Sequence, residues 1–202
     1  MILTTTEKMK EQVLDLREKG LSREEIAKEL HLSEETVGWL LARGSEEDKP
    51  PVDIYIGWRS LGVFSSRMTE MSRIFTDIIL EECAKHDMSV DAIMGVAING
   101  IPLATLIAQE MDVELILYRP PRGDEDNGGS TGSILSNYAG VRDKRVVIVD
   151  DVISSGGTMR QSIEFLNANQ GKPSLCVAIV NKQQFNEIDG VPVRAMIRTH
   201  AV

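Results

Sequence analysis

The chain has 202 residues, 42% of them hydrophobic, which is enough to bury a core and excludes global disorder. Twenty-two Lys and Arg against 31 Asp and Glu leave a net charge of −9, which excludes a broad polycationic face for nucleic acid or anionic membrane but not a local basic patch. No apolar run approaches the ~18 residues of a membrane span, no signal peptide opens the chain, and Cys83 and Cys176 lie far apart with no CxxC, so a cytoplasmic protein with two reduced cysteines and no membrane partner is expected.

Three short helices are predicted first. The first runs from about Thr6 to Lys19, with Val13, Leu14 and Leu16 on its apolar side, and stops at Gly20. Ser22 caps the second, where Glu25 completes a capping box and Ile26 and Leu30 share a face. Ser33 caps the third, with Thr36 three positions on and Val37, Leu40 and Leu41 turned toward the other two helices. Trp39 reads as a lid on this small core. Two capped helices joined by a tight turn make the layout of a helix-turn-helix. Residues 21–44 resemble the helix-turn-helix of bacterial and archaeal transcription regulators, although a dimerisation or packing module has the same pattern.

If the module binds duplex DNA, the candidate residues are Arg23, Ser33, Glu35, Thr36 and Arg43, with Lys8, Lys10 and Lys28 as further phosphate partners. Charge opposes the assignment: Glu34 and Glu35 stand where base-reading residues belong, although a glutamate can accept from cytosine N4. Because two-fold operators need two-fold proteins, a homodimer or higher homo-oligomer is expected.

The polar stretch 45–52, which contains Pro50 and Pro51, reads as a linker between a domain over 1–44 and a second over 53–202. From residue 54 onward, apolar strands alternate with amphipathic helices, as in a parallel α/β sheet. Strands are predicted over Ile54–Ile56, Ala92–Ala97, Leu115–Tyr118, Arg145–Val149, Leu175–Val180 and Ala195–Ile197. Helices are predicted over Arg67–His86, Pro102–Met111 and Thr158–Asn169.

The run Val146–Thr158 is the most informative. Four aliphatics make a strand buried on both faces, and two carboxylates, Asp150 and Asp151, follow at the end where α/β sheets place ligands. Ser154, Ser155, Gly156, Gly157 and Thr158 then form a small turn whose amides and hydroxyls converge at a helix start, a cradle for phosphate. Carboxylates suit a sugar diol, so the run describes a phosphorylated ribose held at both ends.

This run resembles the ribose-phosphate signature of type I phosphoribosyltransferases. The resemblance implies that Asp150 and Asp151 bind the ribose hydroxyls and that residues 154–158 bind the 5′-phosphate. Gly95–Ala104 resembles the family's pyrophosphate loop, especially in its orotate branch, which implies Ala97, Ile98, Asn99 and Gly100 as pyrophosphate contacts, joined by Arg119. Asp53–Arg59 resembles the segment that opens orotate phosphoribosyltransferases. The implied fold is a type I phosphoribosyltransferase-like parallel sheet flanked by helices, preceded by the small all-α helix-turn-helix domain.

Departures from the family concern catalysis. Orotate enzymes carry a flexible loop rich in lysine, with a histidine, over the leaving pyrophosphate. Here Arg119 is followed by two prolines, Arg122, and the acids Asp124, Glu125 and Asp126, and Asn99 replaces the usual lysine. Charge that matches the transition state accelerates such a transfer, and negative charge beside the leaving group opposes it. No catalytic residue is therefore assigned. The combination resembles archaeal orotate phosphoribosyltransferase-like transcription regulators, which implies a DNA-binding regulator that senses phosphoribosyl diphosphate or a nucleotide. An active phosphoribosyltransferase for orotate or another nucleobase is the alternative, and an RNA-binding or salvage regulator a second one. Magnesium is expected only with the diphosphate, with no resident metal or cofactor. Lys182, Arg194 and Arg198 read as solvated charges rather than a base pocket.

Overall fold

The computed structural model describes residues 5–42, 51–121 and 132–199. These fall into two compact units that divide between Ile56 and Gly57, so Asp53–Ile56 belongs with the first.

The first unit has three helices, α1 (Thr5–Glu18), α2 (Arg23–Leu30) and α3 (Glu34–Leu41). Gly20, left-handed at φ +90°, ends the first turn of chain, and Leu21 N–H donates back to the Leu16 carbonyl. At α2 the capping box is complete: Glu25 N–H donates to Ser22 Oγ at 3.2 Å, and Ser22 N–H donates to the Glu25 carboxylate at 2.8 Å. Val13, Ile26, Ala27, Leu32, Val37 and Leu40 form the buried core, with Trp39 packed half-buried against it as a lid. Leu14 departs from its predicted apolar role. It is exposed, because the side of α1 that meets α3 carries Met9, Val13 and Leu16 instead.

The second unit has α4 (Arg59–Gly62), α5 (Ser65–His86), β1 (Ala92–Val96), α6 (Gly100–Met111), β2 (Glu114–Arg119), β3 (Ser133–Ile134), β4 (Arg145–Ile153), α7 (Gly157–Ala168), β5 (Lys172–Asn181), β6 (Glu187–Ile188) and β7 (Val191–Arg198). Strand order is β3-β2-β1-β4-β5-β7-β6; the inner pairs are parallel, and β3 and β6 add antiparallel edges. Every residue of β1 is buried, as are Val146–Val149 of β4 and Leu175–Asn181 of β5, which is why these strands read as unbroken apolar runs. Parallel strands put all their carboxyl ends on one edge, and the loops after β1, β2 and β4 therefore open on that edge.

Several elements differ from the sequence expectation. Ile54–Ile56 is not a strand: its three apolar residues have strand composition, but the segment has no ladder partner and lies in the first unit. β4 continues through the acid pair to Ile153, β7 begins at Val191, and α4, β3 and β6 are too short to leave a periodic signal. Cys83 and Cys176 are free, and burial pushes the Cys176 thiol up to about 12. Among the described residues, no helix is long and apolar enough to cross a membrane.

Candidate functional site

The acid pair lies within β4, and the two neighbouring carboxyls interact with one another. Asp150 is half-buried, and its Oδ1 accepts from Asp151 N–H at 2.9 Å. Burial and the adjacent Asp151 carboxylate push the Asp150 carboxyl well above the ordinary carboxylate range. Asp151 is only 4% exposed. Its Oδ1 accepts from Val152 N–H at 2.9 Å, and its Oδ2 accepts from the Trp58 indole N–H at 2.9 Å. The two acids are thus not equivalent: Asp150 is half-buried, while Asp151 is buried and accepts from the Trp58 indole.

Ser154–Thr158 lies directly beyond. Gly156, left-handed at φ +83°, caps α7 without a side chain. A Cβ there would sit 3.0 Å from Phe185 Cζ, so the ring of Phe185 backs the turn. Gly157 N–H donates to Ser155 Oγ at 3.3 Å, and the Gln183 amide donates to the Ser154 carbonyl, tying the turn to the segment after β5. Ser155 is exposed, and Ser154, Gly157 and Thr158 are half-buried. Hydroxyls and amides at the positive end of a twelve-residue helix are matched to a phosphate dianion.

The other loop arrives through glycine. A Cβ on Gly100 would stand 2.3 Å from the Val149 carbonyl oxygen and 3.0 Å from Asp150 Cα. Only a residue without a side chain lets the start of α6 press against β4 at the acid pair. Ala97 and Asn99 are half-buried, Ile98 is 82% exposed, and the Ala97–Ile98 peptide is cis. Ala97 N–H donates to the Tyr118 carbonyl at 2.8 Å, fixing this loop beside the end of β2, where Arg119 is exposed. The structure therefore brings Ala97–Gly100, Asp150 and Ser154–Thr158 to one edge, with Arg119 on the neighbouring strand. Arg122, Asp124, Glu125 and Asp126 lie outside the described residues.

Trp58, Phe185 and Gln183 are the site residues that sequence reading misses. Trp58 is signalled only by its place in the segment similar to the opening of orotate phosphoribosyltransferases. Among the described residues, no three His, Cys, Asp or Glu side chains converge as a metal site.

The residues considered for a base pocket are engaged elsewhere. Arg194 pairs with Glu81 and Glu82, and Arg198 donates to Asn186. Both line a groove of about 690 Å³ between α5 and β7 that shares no residue with the acid pair or either loop. Lys182 is half-buried, and its N–H donates to the Ile153 carbonyl.

In the first unit, Arg23 lies across α3, its guanidinium 3.4 Å from where a Cβ on Gly38 would be, and pairs with Glu34 at 3.1 Å. Ser33 Oγ accepts from Thr36 N–H at 3.1 Å and bonds the Thr36 hydroxyl at 2.8 Å, and Ser33 N–H donates to Asp53 at 2.6 Å. Thr36 is buried and Glu35 exposed. Arg43 lies outside the described residues.

An acid pair, a glycine-capped Ser/Thr turn and a second glycine-packed loop on one edge of a parallel sheet are the parts of a phosphoribosyltransferase-type domain, and residues 69–192 match the phosphoribosyl transferase domain family. The fold is that of the orotate phosphoribosyltransferase from Aeropyrum pernix (25% identity, TM-score 0.56, 73% of this chain and 80% of that one). It is shared by the Mycobacterium tuberculosis orotate phosphoribosyltransferase solved in complex with 5-phospho-α-D-ribosyl 1-diphosphate (15% identity, TM-score 0.56, 73% and 82% covered). Over almost its whole length the chain is similar to the transcriptional regulator GfcR of Thermoplasma acidophilum (46% identity, 99% of this chain and 98% of that one) and of Archaeoglobus fulgidus (41%, 97% and 98%). The chain belongs to this GfcR family of archaeal transcriptional regulators, with a phosphoribosyltransferase domain.

Proposed function

We propose that the protein is a cytoplasmic transcription regulator that binds duplex DNA through its N-terminal helices, as a homodimer or higher homo-oligomer, and senses phosphoribosyl diphosphate or a nucleotide through the α/β unit. The carrying observation is the edge where β4 runs from the acid pair into the glycine-capped start of α7, with Gly100 bringing residues 97–100 against the same strand. The turn at 154–158 takes the 5′-phosphate, Asp150 and Asp151 take the ribose hydroxyls, and Ala97–Gly100 with Arg119 take the pyrophosphate. The complex of the Mycobacterium tuberculosis enzyme with phosphoribosyl diphosphate supports that choice of ligand.

Binding and catalysis require different things. Holding the ground state lowers the dissociation constant, whereas turnover needs charge that stabilises the departing pyrophosphate. The pyrophosphate loop offers Asn99 and an exposed Ile98, neither of which carries positive charge. Such a site works as a receptor. Magnesium would enter with the diphosphate as its counter-ion, with Asp150 the carboxylate available to share it.

Calorimetric titration of the full chain with magnesium and phosphoribosyl diphosphate, then with a panel of nucleoside monophosphates, tests the reading. Saturable binding by at least one of them, lost in Asp150→Asn, is expected. Absence of binding by all of them would overturn the assignment of the site.

A further inference from the structure

Asp151 is the more buried acid of the pair, and a side chain from outside the strand reaches it. The Trp58 indole N–H donates to its Oδ2 at 2.9 Å, across 93 positions of sequence. The ring is wedged in place from its other side as well: a Cβ on Gly62 would come 2.5 Å from Trp58 Cζ3, so the glycine of α4 makes room for the indole. The Trp58 carbonyl accepts from the N–H groups of Leu61 and Gly62, which anchors the Trp58 backbone to the α4 turn. With the indole in place, Asp151 is only 4% exposed.

Trp58 also holds a particular place in the chain. Gly57 alone separates it from Ile56, the last residue of the first unit.

We propose that Trp58 and a ligand's ribose hydroxyl compete for Asp151, and that displacement of the indole is the event that passes ligand occupancy to the helical unit. This rests on the reading of the acid pair as the ribose site. Both partners would donate to a carboxylate that is only 4% exposed, so a ribose hydroxyl reaches it as the indole gives way. The ligand then shifts a two-state element, Trp58 with α4, by binding only one of its states. The indole N–H is bonded to Asp151 and not to the turn at Ser154–Thr158, so an anion held by the turn alone does not compete for the indole's acceptor. The diol, rather than the phosphate, is the signal.

The chain has two tryptophans, so Trp39→Phe leaves Trp58 as the sole tryptophan, excited selectively over the three tyrosines at the red edge of the absorption band. In that variant of the full chain, ribose 5-phosphate and phosphoribosyl diphosphate with magnesium are expected to shift the Trp58 emission, while inorganic phosphate at saturating concentration does not. Trp58→Phe removes the competing N–H and is expected to tighten phosphoribosyl diphosphate binding about tenfold, as loss of a rival hydrogen bond to a charged group implies. In the same variant the ratio of DNA affinities with and without phosphoribosyl diphosphate, at fixed salt, is expected to collapse to about one. Gly62→Ala, which pushes the ring off Asp151 without removing it, is expected to act in the same direction.

The outcomes separate the two levels of the argument. If calorimetry shows no binding of any probe to the unmodified chain, the site reading fails and this proposal with it. If the chain binds ribose 5-phosphate but Trp58 emission stays fixed, or if Trp58→Phe binds phosphoribosyl diphosphate more weakly, then Trp58 supports Asp151 rather than competing for it. The proposal alone is then overturned. The emission experiment keeps Trp58 itself, so it decides the question even if Trp58→Phe does not fold.

Discussion

Two helix starts in this protein use the same kinds of residue in opposite ways. At α3, Ser33 and Thr36 spend their hydroxyls on each other and on the helix's own amide, and Thr36 is buried. At α7 the cap is Gly156, which has no side chain to spend, and Ser155 takes only the Gly157 amide. The first helix start is closed on itself and contributes stability. The second leaves its positive end and its remaining hydroxyls for an outside anion. A serine next to a helix start is therefore informative only together with the cap: hydroxyl at the cap points to structure, glycine at the cap points to a ligand.

Substitutions at the two starts sharpen this contrast. The largest effect is expected for Gly156→Val, which must adopt a left-handed backbone at a cost of about 1–2 kcal/mol and meets Phe185 at 3.0 Å. Calorimetry should show phosphoribosyl diphosphate affinity falling by more than about 100-fold, as loss of several charge-assisted hydrogen bonds implies. Intact binding would mean that the turn is not the phosphate site.

Asp150→Asn should separate affinity from stability. Ligand affinity is expected to fall about 10- to 100-fold, while the melting temperature of the ligand-free protein rises at neutral pH. The sign follows from the raised carboxyl: its charged form is disfavoured in the folded state, so its stability contribution is lost as pH rises from 3.8 through the raised value. The variant should flatten that part of the stability–pH curve, and identical curves for variant and parent would contradict the electrostatics assigned to the pair.

Ser33→Ala should cost about 1 kcal/mol of stability in the helical unit and leave ligand binding unchanged. A change in phosphoribosyl diphosphate affinity in this variant would erase the contrast between the two starts. The smallest effect belongs to Glu35→Lys. If α3 faces DNA, affinity should rise across all sequences and the slope of log affinity against log salt should steepen by about one. An unchanged slope would place Glu35 off the interface.

Much of this was legible in the sequence where the chemistry is contiguous. Val146–Thr158 carries strand, acids and turn in one run, and the structure keeps them together on one edge. The capping box at Ser22 and Glu25 is likewise a local pattern that survives folding because both partners lie within one turn. What escaped depends on distance or brevity. The inequality of Asp150 and Asp151 follows from the strand continuing to Ile153, and from an indole 93 positions away that no spacing could announce. Ile54–Ile56 has strand composition without a neighbour to pair with, and a strand is a property of two segments rather than one. The Arg23–Glu34 pair, formed eleven positions apart on two helices, likewise leaves no periodic signal.

The central claim is that this edge of the sheet holds a phosphoribosyl compound without consuming it. The most direct test incubates the full chain with phosphoribosyl diphosphate, magnesium and, in turn, orotate, uracil, adenine, guanine and hypoxanthine, and follows nucleotide and pyrophosphate by chromatography. The account predicts that phosphoribosyl diphosphate is bound and recovered intact with every base. Rapid formation of any nucleotide would contradict it and make the protein an enzyme.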